Sequence, residues 1–277
     1  MVLKNRMACL VLALAVTGVS AVAQLTLVDL MQRHGVNVEN GAFDAAFDSY
    51  AAPTVPANPG SFAPPLAVLT SAAGAERINA AYAFGILAGW SGRAASPQES
   101  LAAGQALIAM IGSDDWRSRV AGARVAGRLF AALDDRSRIR PQVPTGMSGA
   151  VFELLNRDRE IEQLAAMDAL GLLRESGAVP SLTERYYFYR NANKRRLAGG
   201  ALEALARIGD PSTTAIVKLL LADKWADGKD ATALAVAFAR ERLLKDGSIA
   251  AIERALDEKS RRNQARGYLA ELGAPVP

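Results

Sequence analysis

The 277 residues carry a formal charge of +4, with 51% hydrophobic, 22% charged and 6% aromatic side chains, which describes a folded chain with a sizeable core and excludes a disordered or polytopic one. One cysteine and one histidine stand against 55 alanines. That imbalance removes the usual structural zinc sets and leaves histidine-dependent catalysis only a single imidazole to build on.

The N-terminus reads as a secretory signal over residues 1–23. Lys4 and Arg6 form a basic start, Met7 to Val16 an apolar run, and Ala21-Val22-Ala23 a small-x-small cleavage site, so cleavage after Ala23 and a periplasmic or secreted protein are expected. The competing reading is a retained anchor. No charge falls between Met7 and Val28, a run long enough to span a bilayer, and membrane association is expected only in that case. Either way the basic start leaves the remainder outside the cytoplasm. Cys9 lies within this segment, so the mature chain has no cysteine and must be held together by apolar burial. Loss of Lys4 and Arg6 lowers the formal charge from +4 to +2, too little to recruit nucleic acid, and none is expected as a partner.

Residues 24–50 form an N-terminal arm with two brief amphipathic helices, one around Leu27, Val28, Leu30 and Met31, the other around Ala42, Ala45, Ala46 and Phe47. His34, next to Gly35, suits a cation at a helix C-terminus better than a catalytic imidazole. Residues 51–65 hold Pro53, Pro56, Pro59, Pro64 and Pro65, which fix φ and remove amide donors. They form an extended linker between the arm and the main body.

From residue 66 to 273 almost every segment has helical period, and a five-residue pattern recurs, small at its third position and large and apolar at its fifth. Its members are Ala83-Phe84-Gly85-Ile86-Leu87, Val125-Ala126-Gly127-Arg128-Leu129, Ala169-Leu170-Gly171-Leu172-Leu173, Ala204-Leu205-Ala206-Arg207-Ile208 and Tyr268-Leu269-Ala270-Glu271-Leu272, with a weaker one from Val236. The first positions are 42, 44, 35, 32 and 32 residues apart, the range of one helical pair per repeat. Helix starts are marked between them. Ser96-Pro97-Gln98-Glu99 reads as a capping box, Asp114, Asp210 and Asp230 as caps, and Pro211 as a first-turn proline. Small residues at Ala121-Gly122-Ala123 and Ala198-Gly199-Gly200-Ala201 would let helices approach closely. Residues 274–277 are a short tail.

The unit from Lys194 to Leu221, with its Ala204-Leu205-x-x-Ile208-Gly209-Asp210-Pro211 core, resembles a HEAT repeat of the phycobilisome-lyase type. The resemblance covers residues 66 to 273 and is closest from Ile161 to Leu221. It departs from the pattern in the two longer first repeats and at Arg240, which replaces the expected apolar residue. The resemblance implies an all-α fold, a right-handed α-solenoid of stacked antiparallel helix pairs, and an interaction scaffold without catalytic residues. A bilin lyase-like activity, also implied by the repeat subtype, gains no support from an exported chain lacking cysteine.

Two basic sets are the candidate binding residues. The first is Arg185, Tyr187, Phe188, Arg190, Lys194, Arg195 and Arg196, in a stretch where three of the six tyrosines fall within four residues. Aromatic faces and guanidinium groups there suit an anionic chain or a protein partner. The alternative is a core stripe of Val179, Leu182, Tyr186 and Tyr189 with solvated arginines. The second set is Arg124 and Arg128, four apart on one helix face, in a cationic stripe with Arg77, Arg117, Arg119, Arg207, Arg261, Arg262 and Arg266. The alternative there is a charged face balanced by neighbouring carboxylates. Carboxylates themselves (Asp44 with Asp48, Asp114 with Asp115, Asp134 with Asp135, and Asp223, Asp227 and Asp230) fall mostly where turns are expected. Trp116 and Trp225 sit near turns within repeats, as core covers or contact residues. No residue set calls for a metal or cofactor, and no catalytic residue is assigned. The expected function is an exported, non-catalytic scaffold binding a protein in the cell envelope, the alternative an enzyme or binding protein acting on an anionic envelope polysaccharide.

Overall fold

The computed structural model describes residues 63–90, 95–131, 142–209, 211–222 and 231–275. The signal segment, the arm with His34, most of the proline-rich linker, Asp134 with Asp135, Asp210, and Asp223 to Asp230 with Trp225 lie outside the described residues. All described residues fall in the compact unit Asp48–Pro277.

Among the described residues the protein is all-helical. Its helices are α1 (Ala63–Ser71), α2 (Gly74–Trp90), α3 (Pro97–Ile111), α4 (Trp116–Leu129), α5 (Met147–Glu153), α6 (Glu160–Leu173), α7 (Val179–Asn191), α8 (Arg195–Ile208), α9 (Pro211–Leu221), α10 (Ala231–Leu244), α11 (Ile249–Arg254) and α12 (Arg262–Glu271). No helix among these residues is long and apolar enough to cross a membrane. Helix α1 starts at Ala63, so Pro64 and Pro65 occupy its first turn instead of ending the linker. Amides there need no intrahelical partner, and the φ of proline already suits a helix.

Local signals set the boundaries of several helices. Ser96 starts α3 with the expected reciprocal bonds: the Glu99 amide donates to its Oγ at 3.2 Å, and its own amide donates to Glu99 Oε2 at 2.8 Å. Asp115, not Asp114, caps α4, accepting the Arg117 amide at 3.1 Å. Asp114 instead offers its carbonyl to Arg119 Nη1 at 2.8 Å. Gly209 closes α8 at φ 62°, a left-handed conformation that costs glycine little, and donates to the Leu205 carbonyl.

The five-residue pattern has a structural meaning. Each of its members lies at or near the C-terminal end of α2, α4, α6, α8, α10 or α12. Helix α2 packs on α4, α4 on α6, α6 on α8 and α8 on α10. The intervening helices cover this row: α1 contacts α2 and α3, α3 contacts α4 and α5, α5 contacts α6, α7 and α9 contact α8, and α11 joins α10 to α12.

At three junctions the third position of one member meets the first position of the next. A Cβ on Gly127 would stand 2.8 Å from the Ala169 Cα, and one on Gly171 would stand 2.8 Å from the Ala204 Cα. Small residues are used here because two backbones need the same space. In α10 the third position is Phe238, and it meets first-position Tyr268 by stacking, with ring centroids 4.4 Å apart. Aromatic filling thus takes over where close backbone approach stops. Fifth-position Leu129, Leu173 and Ile208 are buried, with Leu107, Met110, Met167, Leu202 and Leu205 among the core residues around them. Arg240, the exception at that position, is exposed and pairs with Asp246 at 2.7 Å.

Candidate functional site

Five arginines of the expected cationic stripe, Arg77, Arg117, Arg119, Arg261 and Arg262, are each held by groups of their own neighbourhood. Arg77 donates to the Leu69 and Ala106 carbonyls. Arg119 is buried, bonded to Glu162 at 2.6 Å and to the Ser113 carbonyl at 2.8 Å, so it ties α4 to α6. Arg117 lies over the Trp116 ring, 5.3 Å from its centroid, and Arg159 approaches the same ring. Arg261 pairs with Glu258, and Arg262 donates to the Leu256 carbonyl.

What remains is a ladder of both signs on the pattern-bearing helices. The residue just before the first position is Arg124 in α4, Asp168 in α6 and Glu203 in α8; the fourth position is Arg128, Arg207 and, in α12, Glu271. These two positions are four apart and share a helix face. Their centre is Arg207, only 5% exposed. Its guanidinium grips Glu271 through two bonds of 2.8 Å, reaches Asp168 Oδ1 at 2.7 Å, and stands 3.7 Å from Glu203 Oε2. It also lies 5.5 Å from the Phe238 ring centroid. Glu203 accepts from the Tyr268 hydroxyl and from Gln264 Nε2.

The electrostatics follow this arrangement. Burial works against the Arg207 charge, but Glu271 and Asp168 outweigh it and hold the guanidinium well above its ordinary value. Burial likewise opposes ionisation of Asp168, yet Arg207, Arg128 and Arg124 hold its carboxyl below the usual range. For Glu203 burial wins over Arg207 and Tyr268, and its carboxyl is raised. Arg124, buried beside Arg196 and Arg128, is pushed down to about 10 by desolvation and those like charges.

A raised carboxyl binds its proton more tightly in the folded than in the unfolded chain. Glu203 therefore opposes folding increasingly as pH rises through the ordinary glutamate range, about pH 4, toward its folded value. Glu203→Gln should gain stability relative to the parent as pH rises from about 4 to 7. Urea unfolding of both proteins at the two pH values measures this, and a constant difference between them would contradict it.

Of the paired carboxylates only Asp114 and Asp115 are among the described residues, and they lie in the turn before α4, whereas the convergent carboxylates are the single residues Asp168, Glu203 and Glu271. Their signal was positional: each falls next to, or inside, a member of the recurring pattern.

The aromatic segment divides between the two readings made of it. Val179, Leu182, Tyr186 and Tyr189 are buried as a core stripe of α7. Tyr187 and Phe188 are 43% and 63% exposed. Arg185 is held by Asn156 Oδ1 at 2.7 Å and by the Tyr189 hydroxyl at 3.2 Å. Arg190 donates to Asn191. Lys194 and Arg196 are exposed, and Arg128, Arg190 and Arg195 are half-buried. Lys194 pairs with Glu160 at 3.3 Å, an exposed bridge of little energetic weight. Arg124 is buried and Arg185 is tied down, so the accessible part of the proposed surface is Tyr187, Phe188, Lys194 and Arg196. The chain matches no protein-family model and no curated protein sequence.

Proposed function

We infer that this chain is an exported, non-catalytic α-solenoid of HEAT-like helix pairs, right-handed in its superhelix, that holds a protein partner in the cell envelope. The observation that carries this reading is the repeated contact of a third-position residue with the first position of the next member: Gly127 on Ala169, Gly171 on Ala204 and Phe238 on Tyr268. A sequence element reused at an equivalent contact from helix to helix is how solenoids propagate, and their long faces serve binding. The basic start and small-x-small site of residues 1–23 support export.

Tyr187 and Phe188 are the accessible aromatic pair, with cationic Lys194 and Arg196 at the start of the next helix. Exposed aromatic residues beside cations are the composition of binding hot spots. Crosslinking the mature protein in its native envelope, with partners identified by mass spectrometry, tests the reading. Tyr187→Ser with Phe188→Ser should leave stability within about 0.5 kcal/mol and reduce partner recovery at least about tenfold. Undiminished recovery would exclude this surface.

One observation favours the second reading, action on an anionic polysaccharide. Asp168, Glu203 and Glu271 gather on Arg207 in the interior of the helix row, with Tyr268 bonded to Glu203. A turnover screen on acidic glycans, with Glu203→Gln as the comparison, decides whether that cluster does chemistry or only locks helices together.

A further inference from the structure

We propose that Trp116, Arg117 and Arg159, at the adjoining starts of α4 and α6, form a surface that holds an acidic, extended segment of a protein partner. The guanidiniums of Arg117 and Arg159 each lie 5.3 Å from the centroid of the Trp116 ring. Arg117 follows the ring in α4, whereas Arg159 stands just before α6, so one indole gathers cations from two helices of the row. Both arginines are exposed and Trp116 is half-buried. Holding α4 to α6 does not account for the arrangement. The buried Arg119–Glu162 pair, at 2.6 Å, already ties these helices together, and an exposed cation–π contact adds little to that.

The neighbouring cations have oxygen partners. Arg119 has Glu162 and two carbonyls, Arg185 has Asn156 and the Tyr189 hydroxyl, and Lys194 has Glu160. The side chains of Arg117 and Arg159 make no hydrogen bond or ion pair among the described residues, and their printed contact is the indole alone. Acidic residues do stand close in sequence, yet none of them pairs with either guanidinium. Asp115 accepts from the Arg117 amide, Glu160 pairs with Lys194, and Asp114 and Asp158 are exposed. Recognition here therefore rests on unpaired donors held in place, five to each guanidinium, and not on a surplus of net charge.

The spacing selects the ligand. Sharing one ring keeps the two guanidiniums within about 11 Å of each other. Residues two apart on an extended chain are about 7 Å apart, and residues three apart about 10 Å. Two carboxylates so placed can each take a two-bond grip from one arginine. The indole restricts both side chains beforehand, which lowers the ordering cost of binding. A sugar ring would have to displace the arginines to stack on Trp116, which favours a polypeptide acid over an acidic glycan. Arg185 also grips Asn156, in the turn leading to Arg159, at 2.7 Å, and it shares a face of α7 with exposed Phe188. The aromatic surface proposed above thus comes up to the same turn. That the acid chain is a polypeptide rests on the reading of this protein as a holder of protein partners.

Fluorescence anisotropy of a labelled octaglutamate peptide, titrated with the purified mature protein, tests the proposal. Saturable binding is expected, weakened at least about tenfold in Arg117→Gln with Arg159→Gln. Both positions are exposed, so the Tm of that variant should match the parent's. Trp116→Leu keeps both charges but frees the guanidiniums, and should weaken binding about threefold or more. Lys218→Gln with Lys259→Gln removes the same charge from exposed residues on α9 and before α12 and should bind as the parent does. No binding up to about 1 mM, an equal loss in the lysine control, or full affinity in Trp116→Leu would overturn the proposal. Tighter binding of an oligogalacturonate of equal charge would overturn it too, by assigning the surface to a glycan. Failure of the peptide to bind while envelope partners are still recovered removes this surface and leaves the scaffold reading standing. Peptide binding by a protein that recovers no partner does the reverse.

Discussion

Gly171→Ala is expected to destabilise the protein by about 1–3 kcal/mol, although alanine is favoured over glycine in a helix interior by about 1 kcal/mol. The sign is set by what the new methyl group meets. Its Cβ would lie 2.8 Å from the Ala204 Cα and 3.3 Å from the Ala204 carbonyl oxygen. These are backbone atoms of α8, which cannot rotate aside as a flexible side chain would, so α6 and α8 must separate. Gly127→Ala should behave alike, since its Cβ would meet the Ala169 Cα at 2.8 Å. Gly149 in α5 is the control: nothing lies within 4 Å of its Cβ position, and alanine there should stabilise through helix propensity alone. Thermal unfolding of the three variants, at roughly 2–4 °C per kcal/mol, gives opposite signs for the interface glycines and the control. A stabilised Gly171→Ala variant would show that the helix row is not held by this contact.

Arg207→Met is expected to cost about 3–5 kcal/mol at neutral pH. The loss comes less from the ion pairs themselves, whose gain is offset by desolvation, than from leaving Asp168, Glu203 and Glu271 together without their shared cation. The pH dependence should distinguish this cause from simple loss of packing. In the parent, Asp168 has a lowered carboxyl, so its stabilisation is present above the ordinary aspartate value and is lost as pH falls through the folded one. In the variant, burial acts on Glu203 without the main cation that offsets it, raising the carboxyl further. Acidification toward about pH 5 should therefore recover part of the variant's lost stability, while the parent gains less. A deficit that stays constant with pH would mean that Arg207 serves through its aliphatic stem and its contact with Phe238. Arg207→Lys should recover only part of the loss, because an ammonium cannot reproduce the two-bond grip on Glu271.

The helical character and the helix starts were legible because they depend on neighbours in sequence. Ser96 and Glu99 cap α3 through bonds spanning three residues, and no distant group is needed to recognise them. The small third position was legible too, although close helix approach was expected of Ala121-Gly122-Ala123 and Ala198-Gly199-Gly200-Ala201. The partner was not: that Gly127 meets Ala169 and Gly171 meets Ala204 depends on the order in which helices pack. The Asp114 assignment missed by one residue because both aspartates suit a cap, and the α4 register selects Asp115.

For the candidate site the division runs along the same line. Composition and spacing alone determined that residues 66 to 273 are helical in period, that an apolar pattern recurs there once per helical pair, and that Arg124 and Arg128 share a face, since all of these are periodic properties of a single strand of sequence. Only the tertiary structure decided that Tyr186 and Tyr189 face the core while Tyr187 and Phe188 face solvent, and that Arg207 joins Asp168 and Glu271 from residues 39 and 64 positions away. Burial and charge compensation are set by groups brought together from distant parts of the chain, and the energy that fixes their protonation and exposure exists only once those groups are in contact.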